Sequence, residues 1–312
     1  MSERCFPRFP DRDIVKLIVE TRTETPLDTA PISVSRVLVF ANGEKPQAVE
    51  LADRISETLT AENISVFRMS LGQNVAEEIS LDTIDMVVSL GGDGTVLTCA
   101  RAIAEYDIPI LAVNLGQFGF ITEIRQDEWY DAFHAFLSGN VGVSRRLMIE
   151  VRLFRDEVCI ATCTGLNEMV VAATGISKIV NLTASTSRGR LGSYRADGLL
   201  VATPTGSTAY SAAAGGPILH PDLDAMILNP ICPFTLSNRT LVMPGHEVVR
   251  IQVDHSQRTD VVMTVDGQEA HALKADDVIE VRRSHHRAGI IESDRRSFYE
   301  VLRSKLHWSG GR

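Results

Sequence analysis

Between residues 36 and 113, short uninterrupted apolar runs alternate with helix-spaced ones, and that rhythm leaves few folds open. The runs are Arg36-Val-Leu-Val-Phe40, Ile64-Ser-Val-Phe67, Met86-Val-Val-Ser-Leu90 and Pro109-Ile-Leu-Ala-Val113, the first closed by the turn pair Asn42-Gly43. Apolar residues at consecutive positions suit strands buried on both faces. Between them Ala48, Leu51, Ala52, Ile55 and Leu59 recur at helical spacing, as do Val96, Leu97, Ala100 and Ile103 after Gly94. Strand and helix in alternation predict a parallel sheet with helices on both faces. A further amphipathic helix carries Trp129, Phe133, Phe136 and Leu137 and stops at Gly139.

After about residue 147 the period changes. Ile149, Val151 and Leu153 alternate with Glu150 and Arg152, and the runs 178–184, 248–253, 260–265 and 278–282 are short and β-like. This half is expected to be β-rich and mostly antiparallel. Phe298, Val301, Leu302 and Leu306 return to helical spacing, in a tail placed to fold back on the first half. A length of 312 residues suits two domains at about 150 residues each.

Charge narrows the partners. With 31 Lys and Arg against 40 Asp and Glu, the net charge of −9 argues against non-specific binding to nucleic acid or an anionic membrane. Residues 198–219 carry no charge, but Pro204, Gly206, Gly215, Gly216, Pro217 and many hydroxyls exclude a lipid-facing helix. Residues 1–30 lack an apolar core, so no secretory signal is expected. Cys5, Cys99, Cys159, Cys163 and Cys232 are scattered and form no C-x-x-C pair. They point to a reducing, cytoplasmic setting, with Cys159 and Cys163 read as packing residues. The eight histidines show no metal-ligand spacing, and His285-His286, beside Arg282, Arg283 and Arg287, read as a solvated loop.

Three segments carry chemistry. Leu90-Gly-Gly-Asp-Gly-Thr95 closes a strand and opens a helix. Glycines there let backbone N–H groups approach a phosphate at a helix N-terminus. A carboxylate among them is sensible if Asp93 takes a proton from an attacking hydroxyl or helps hold a divalent cation. The loop alone also fits a tight turn capped by Asp. Asn167-Glu168 can grip a vicinal diol, though the dipeptide also fits a solvated turn. Arg195-Ala-Asp-Gly198 leads into Thr203-Pro-Thr-Gly-Ser-Thr-Ala-Tyr210-Ser211, where an apolar strand passes through a Pro/Gly turn to an Ala-rich helical start. Its hydroxyls compose a nucleotide cradle or, alternatively, a buried hairpin that satisfies itself. Neither a Walker A nor a G-x-S-x-G motif is present, and Gly92-x-Gly94 lacks a third glycine.

In this order, with Asn114-Leu-Gly-Gln-Phe-Gly-Phe-Ile-Thr122 and Asp266-Gly-Gln268 added, the segments from about Val37 to Trp308 resemble the NAD kinase family. G-G-D-G alone is shared with lipid kinases and 6-phosphofructokinases; T-P-T-G-S-T-A-Y after Asn-Glu is far more specific. The resemblance implies an α/β domain of the phosphofructokinase/NAD-kinase kind at 33–146, behind an N-terminal extension at 1–32. A β-rich dinucleotide-binding domain at 147–290 and a returning helix at 291–312 complete it. It implies transfer of the ATP γ-phosphoryl to the 2′-hydroxyl of the adenosine ribose of NAD⁺. Mg²⁺ or Mn²⁺ would travel with ATP, without fixed protein ligands, and the chain would be a homodimer or homotetramer. Asp93 would be the base beside Gly94, and Asn167 and Glu168 the ribose clamp. Lys178, Arg195, Asp197, Gln268 and the wall Thr208, Ala209, Tyr210, Ser211, Ala212 and Ala213 would contact the nucleotides. Two departures stand out. Ala213 replaces a common serine, and Pro233-Phe-Thr-Leu236 replaces P-H-[ST]-L. A non-catalytic NADP(H) sensor and a lipid or sugar kinase are the competing readings.

Overall fold

The computed structural model describes residues 31–43, 45–70, 80–116, 119–175, 179–235 and 237–307. The first half is built as its apolar period dictates. Strands β1 (Arg36–Ala41), β2 (Ser65–Ser70), β3 (Met86–Gly91) and β4 (Ile110–Asn114) pair in parallel in the order β2-β1-β3-β4. Val37 and Val39 join the core beneath helices α1 (Pro46–Ala61) and α3 (Trp129–Leu137). Leu38 and Phe40 join the opposite core, beneath α2 (Asp93–Ala102). Alternate side chains of a strand point to opposite faces, so burial on both explains the uninterrupted runs. The buried face of α1 is the expected set, Ala48, Leu51, Ala52, Ile55 and Leu59. A two-residue strand β5 (Ile124–Arg125) adds to β4.

The second half is antiparallel. Strands β6 (Val143–Arg155), β7 (Val158–Gly165), β9 (Val180–Thr186), β10 (Gly189–Ala196), β14 (Val249–Val253) and β17 (Val278–Ile291) extend the first sheet. A second sheet runs in the order β13-β12-β11-β8-β15-β16. Its strands are β8 (Glu168–Ala173), β11 (Gly198–Ala202), β12 (Ala225–Ile231), β13 (Leu241–Pro244), β15 (Val261–Val265) and β16 (Glu269–Leu273). Between the sheets lies one core, filled from one side by Ile149, Val151 and Ile279 and from the other by Val171, Val201 and Met263.

Strand β17 joins the halves. Its first part pairs with β14 and β6, and Ile290 then pairs in parallel with Ile110 of β4. The expected run 278–282 is therefore only its start. The register shifts between Arg283 and Arg287, and this bulge keeps the strand going, so His285-His286 lie within β17 rather than in a loop. The bend absorbs the extra residues while leaving the imidazole-bearing stretch largely exposed.

The tail helix α5 (Phe298–Leu306) opens on a capping box, Ser297 with Glu300. It docks by Val301 and Leu302, whereas Leu306 is exposed. The Lys305 ammonium lies 5.8 Å from the Phe120 ring centroid, and Arg296 holds Glu128 at 2.7 and 2.8 Å. The helix thus returns to the first half. Among the described residues, no helix is long and apolar enough to cross a membrane.

Truncating Ile279, fully buried on the joining strand, is expected to cost about 2–5 kcal/mol. Urea denaturation of Ile279→Ala should show an earlier midpoint with an unchanged slope.

Candidate active site

Asp93 is the first residue of α2, where the chain leaves β3. Its carboxylate reaches back to the loop after β4. Oδ1 accepts from the backbone N–H groups of Ile121 (3.2 Å) and Thr122 (3.1 Å) and from the Thr122 hydroxyl (3.0 Å). Among the described residues, Oδ2 accepts from Phe120 N, at 2.8 Å. Thr122 Oγ1 in turn accepts from Asn114 Nδ2 at 2.9 Å. Gly119 is required for this approach, because a Cβ there would collide with the Asp93 carboxylate.

On the facing sheet, Asp266 and Gly267 form the turn between β15 and β16, both at positive φ (52° and 64°), as a type I′ turn demands. The Asp266 carboxylate accepts three backbone N–H groups, from Leu166 (2.9 Å), Asn167 (2.8 Å) and Glu168 (3.1 Å). From the other side Thr203 N donates to Asn167 O at 2.8 Å. The Thr203 hydroxyl donates to Leu166 O at 2.5 Å and accepts from Gly206 N at 3.0 Å. A Cβ on Gly206 would strike the Asn167 carbonyl.

With its backbone held this tightly, the Asn167-Glu168 pair presents two side-chain oxygens without an answering donor. Among the described residues, Asn167 Oδ1 and Glu168 Oε2 are buried without a hydrogen-bond partner. Burial, then the neighbouring Asp266 carboxylate, pushes the Glu168 carboxyl up to about 7, against a backbone hydrogen bond from Tyr210. Two adjacent orphan acceptors are a costly arrangement, and they match the paired O–H donors of a diol.

Gln268 connects the two groups. Its Oε1 accepts from Thr98 Oγ1 at 2.7 Å and from Arg101, and its Nε2 donates to Gly94 O at 3.0 Å. It therefore ties the turn that holds Asn167-Glu168 to the helix that begins at Asp93.

The hydroxyl-rich stretch is mixed in character. The Ser207 hydroxyl is paired with Leu219, that of Thr203 as above, and Thr208 Oγ1 donates to Thr205 O at 3.1 Å. Among the described residues, Thr205 Oγ1 and Ser211 Oγ are buried without partners. Thr208 ends one helical turn; Ala209, exposed Tyr210, buried Ser211, Ala212 and exposed Ala213 run through the next, the short helix α4 (Tyr210–Ala213). Both turns follow β11, whose Ala202 pairs with Glu168.

Arg195 and Asp197 are not brought to this end. Gly198 pairs with Ala172, so they lie four or more residues along the ladder from Glu168, about 14 Å at strand rise. Both are exposed, with the Arg195 guanidinium 5.3 Å from the ring of Phe234, itself 70% exposed. Lys178 lies outside the described residues.

Sequence reasoning missed several groups. Asn229, buried, donates to Ser211 O at 3.1 Å and accepts from Thr240 at 2.6 Å, bracing the wall. Glu123 follows Thr122, and burial raises its carboxyl to about 7. With Arg146, 6% exposed and unpartnered at Nε, it lines a cavity of about 610 Å³ beside the tail helix. Glu123 adjoins a motif that was read; nothing in the sequence marks Arg146, an arginine in an otherwise strand-like run.

The raised carboxyl sets a pH test. In the folded protein Glu168 keeps its proton between pH 4.5 and about 7, where the unfolded chain has lost it, so stability falls as pH rises through that window. Glu168→Gln removes the effect. Denaturation midpoints should show the variant gaining on the wild type above pH 7 and the gap closing towards pH 4.5; a gap independent of pH would exclude Glu168 as the titrating group.

Two family models match the chain: the ATP-NAD kinase N-terminal domain over residues 72–141 and the ATP-NAD kinase C-terminal domain over residues 166–293. NAD kinase of Treponema denticola is 40% identical over 278 residues, 89% of this chain and 98% of its own. NAD kinase of Moorella thermoacetica is 40% identical over 287 residues, 89% and 91% of the two chains. Two solved structures share the fold at 23% identity. Yeast NADH kinase complexed with NADH has a TM-score of 0.77 and 89% coverage of both chains. An NAD kinase from Archaeoglobus fulgidus in complex with ATP has a TM-score of 0.68, covering 88% of this chain and 98% of that one. At such identity across nearly nine-tenths of its length, with models matched on both sides of the Asp93–Asn167-Glu168 site, the chain belongs to the NAD kinase family.

Proposed function

We propose that this protein transfers the γ-phosphoryl group of ATP to the 2′-hydroxyl of the adenosine ribose of NAD⁺, giving NADP⁺ and ADP. The observation that carries the reading is the pair of orphaned acceptors, Asn167 Oδ1 and Glu168 Oε2, bracketed through Gln268 to the helix of Asp93. The ribose diol supplies the O–H donors those acceptors lack, and a substrate so gripped has its nucleophile aimed before reaction.

Among the described residues Asp93 Oδ2 accepts one hydrogen bond, which leaves a lone pair for the 2′-hydroxyl proton. As the O2′–Pγ bond forms, that proton passes to Asp93, and the bond from Pγ to the β-phosphate oxygen breaks, releasing ADP. Orientation and charge stabilisation supply most of such catalysis. A hydrated Mg²⁺ or Mn²⁺ brought in with ATP, held by the phosphates and not by fixed protein ligands, would neutralise charge on the transferring group. Gly94, Thr208, Ala209, Tyr210, Ser211, Ala212 and Ala213 line the nucleotides in this reading, with the unpaired Thr205 and Ser211 hydroxyls as further donors. Lys178 falls where many family members place a basic residue near the ligand, and is given that role here. Arg195 and Asp197, at the far end of the β8–β11 ladder, serve the dinucleotide's other end or a second copy in a homodimer or homotetramer. Four free cysteines among the described residues support a reducing, cytoplasmic setting.

The first experiment is NADP⁺ formation from NAD⁺, ATP and Mg²⁺. Activity is expected, with kcat for Asp93→Asn lower by roughly 10²–10⁴-fold and KM for NAD⁺ changed far less. Wild-type kcat in the variant would remove Asp93 as the base. NADPH binding without turnover would make the protein a sensor, and transfer only to a lipid or sugar acceptor would make it another kind of kinase. A second variant probes the clamp: Glu168→Gln should raise KM for NAD⁺ and lower kcat together, because it both loosens the diol and misplaces the nucleophile.

A further inference from the structure

Just beyond Gln268, the two sheets present edges to each other. Among the described residues, strand β7 pairs with β6 alone and β16 with β15 alone. Cys163 on β7 faces Glu269 and His271 on β16, two residues apart and so on one face of their strand. The thiol, one carboxylate oxygen and one imidazole nitrogen all lie within 4.8 Å of one another. Cys163 Sγ and His271 Nε2 are 3.4 Å apart.

We propose that Cys163, Glu269 and His271 form a three-ligand site for Zn²⁺ that clips the edges of the two sheets together and leaves a fourth position to water. Zinc bonds of about 2.0–2.3 Å in a tetrahedron place ligand atoms roughly 3.3–3.8 Å apart. The sulfur–nitrogen edge, 3.4 Å, already has that length, and the other two, no longer than 4.8 Å, close by at most about 1.5 Å to reach it, within reach of a side-chain adjustment. A sulfur, nitrogen and oxygen donor set selects zinc over magnesium, which takes oxygen ligands. Cys163 is 5% exposed, so the sulfur is sheltered, while the Glu269 side chain is 42% exposed and provides an entry path.

The local cation does not block the site. Arg101 stands 3.6 Å from Glu269, and its Nη1 is buried without a hydrogen bond. Gln268 holds the other branch of the same guanidinium. Glu269 can therefore turn to a metal while Arg101 keeps a partner. Binding exchanges one proton for one ion: the S–H bond breaks, the S–Zn bond forms, H⁺ leaves to solvent, and no electrons move.

The test uses the full chain, free of nucleotide, titrated with Co²⁺ and then with Zn²⁺. One equivalent of Co²⁺ is expected to give a thiolate-to-cobalt charge-transfer band with tetrahedral visible bands. Zn²⁺ should abolish both, and Tm should rise with bound zinc. Cys163→Ser should lose the charge-transfer band, and His271→Ala, at a half-exposed position that tolerates substitution, should weaken zinc binding roughly tenfold or more. Cobalt bound without a charge-transfer band, either variant titrating as the wild type does, or displacement by excess Mg²⁺ would each overturn the site.

Discussion

The Asp266 carboxylate is the interaction on which the site depends. It is 7% exposed and takes three consecutive backbone N–H groups, those of Leu166, Asn167 and Glu168. Burial raises this carboxyl while the three donors pull the other way, so the amides are what make a charged form tolerable there. Without it three buried N–H groups would be left unpaired, each costing about 1–3 kcal/mol. The turn that delivers Asp266 needs two residues at positive φ, and Asp-Gly supplies them at little strain. A hairpin turn on one strand pair thereby sets the path of a neighbouring strand's entry, and so the direction of Asn167 and Glu168.

That rigidity is what permits the site to remain unsatisfied. Asn167 Oδ1 and Glu168 Oε2 cannot relax towards a partner, because their backbone is gripped by Asp266 on one side and Thr203 on the other. Unpaired buried acceptors and a carboxyl raised by burial weaken the free protein, and a ligand's donors recover the loss. Asp93 follows the opposite design. Its carboxylate is nearly filled with donors from residues 120–122, which orients it and leaves the less engaged Oδ2 to act. One end of the site is pre-satisfied and the other is vacant, with Gln268 holding the two in register.

The fold brings these ends together through two devices. The first is β17, which starts in the antiparallel half and finishes beside β4 in the parallel half, making one continuous sheet of both. The second is the face-to-face packing of the two sheets around a shared apolar core, which sets β15 and β16 near α2. Where the sheet edges meet, the same packing assembles Cys163, Glu269 and His271 from residues that share no local spacing.

Local pattern by itself determined the main strands and helices of the first half, the β character of the second, the tail helix and the chemical identity of the three loops. Each follows from neighbours in the chain: a two- or 3.6-residue period or a Gly–Asp–Gly turn. It also carried Asp93, Asn167 and Glu168 as a group, through resemblance to a family. Only the tertiary structure decided that Asp266 holds the backbone of Asn167-Glu168, that Gln268 spans from one sheet to the helix of Asp93, and that Arg195 and Asp197 stand at the far end of the ladder. It alone carried β17 through His285-His286, and it alone set Cys163 against His271. These depend on pairing register and on sheet-to-sheet packing between residues up to about 170 positions apart. Such contacts are settled by the whole core at once, because a strand's period says which face a side chain takes but not which strand lies opposite.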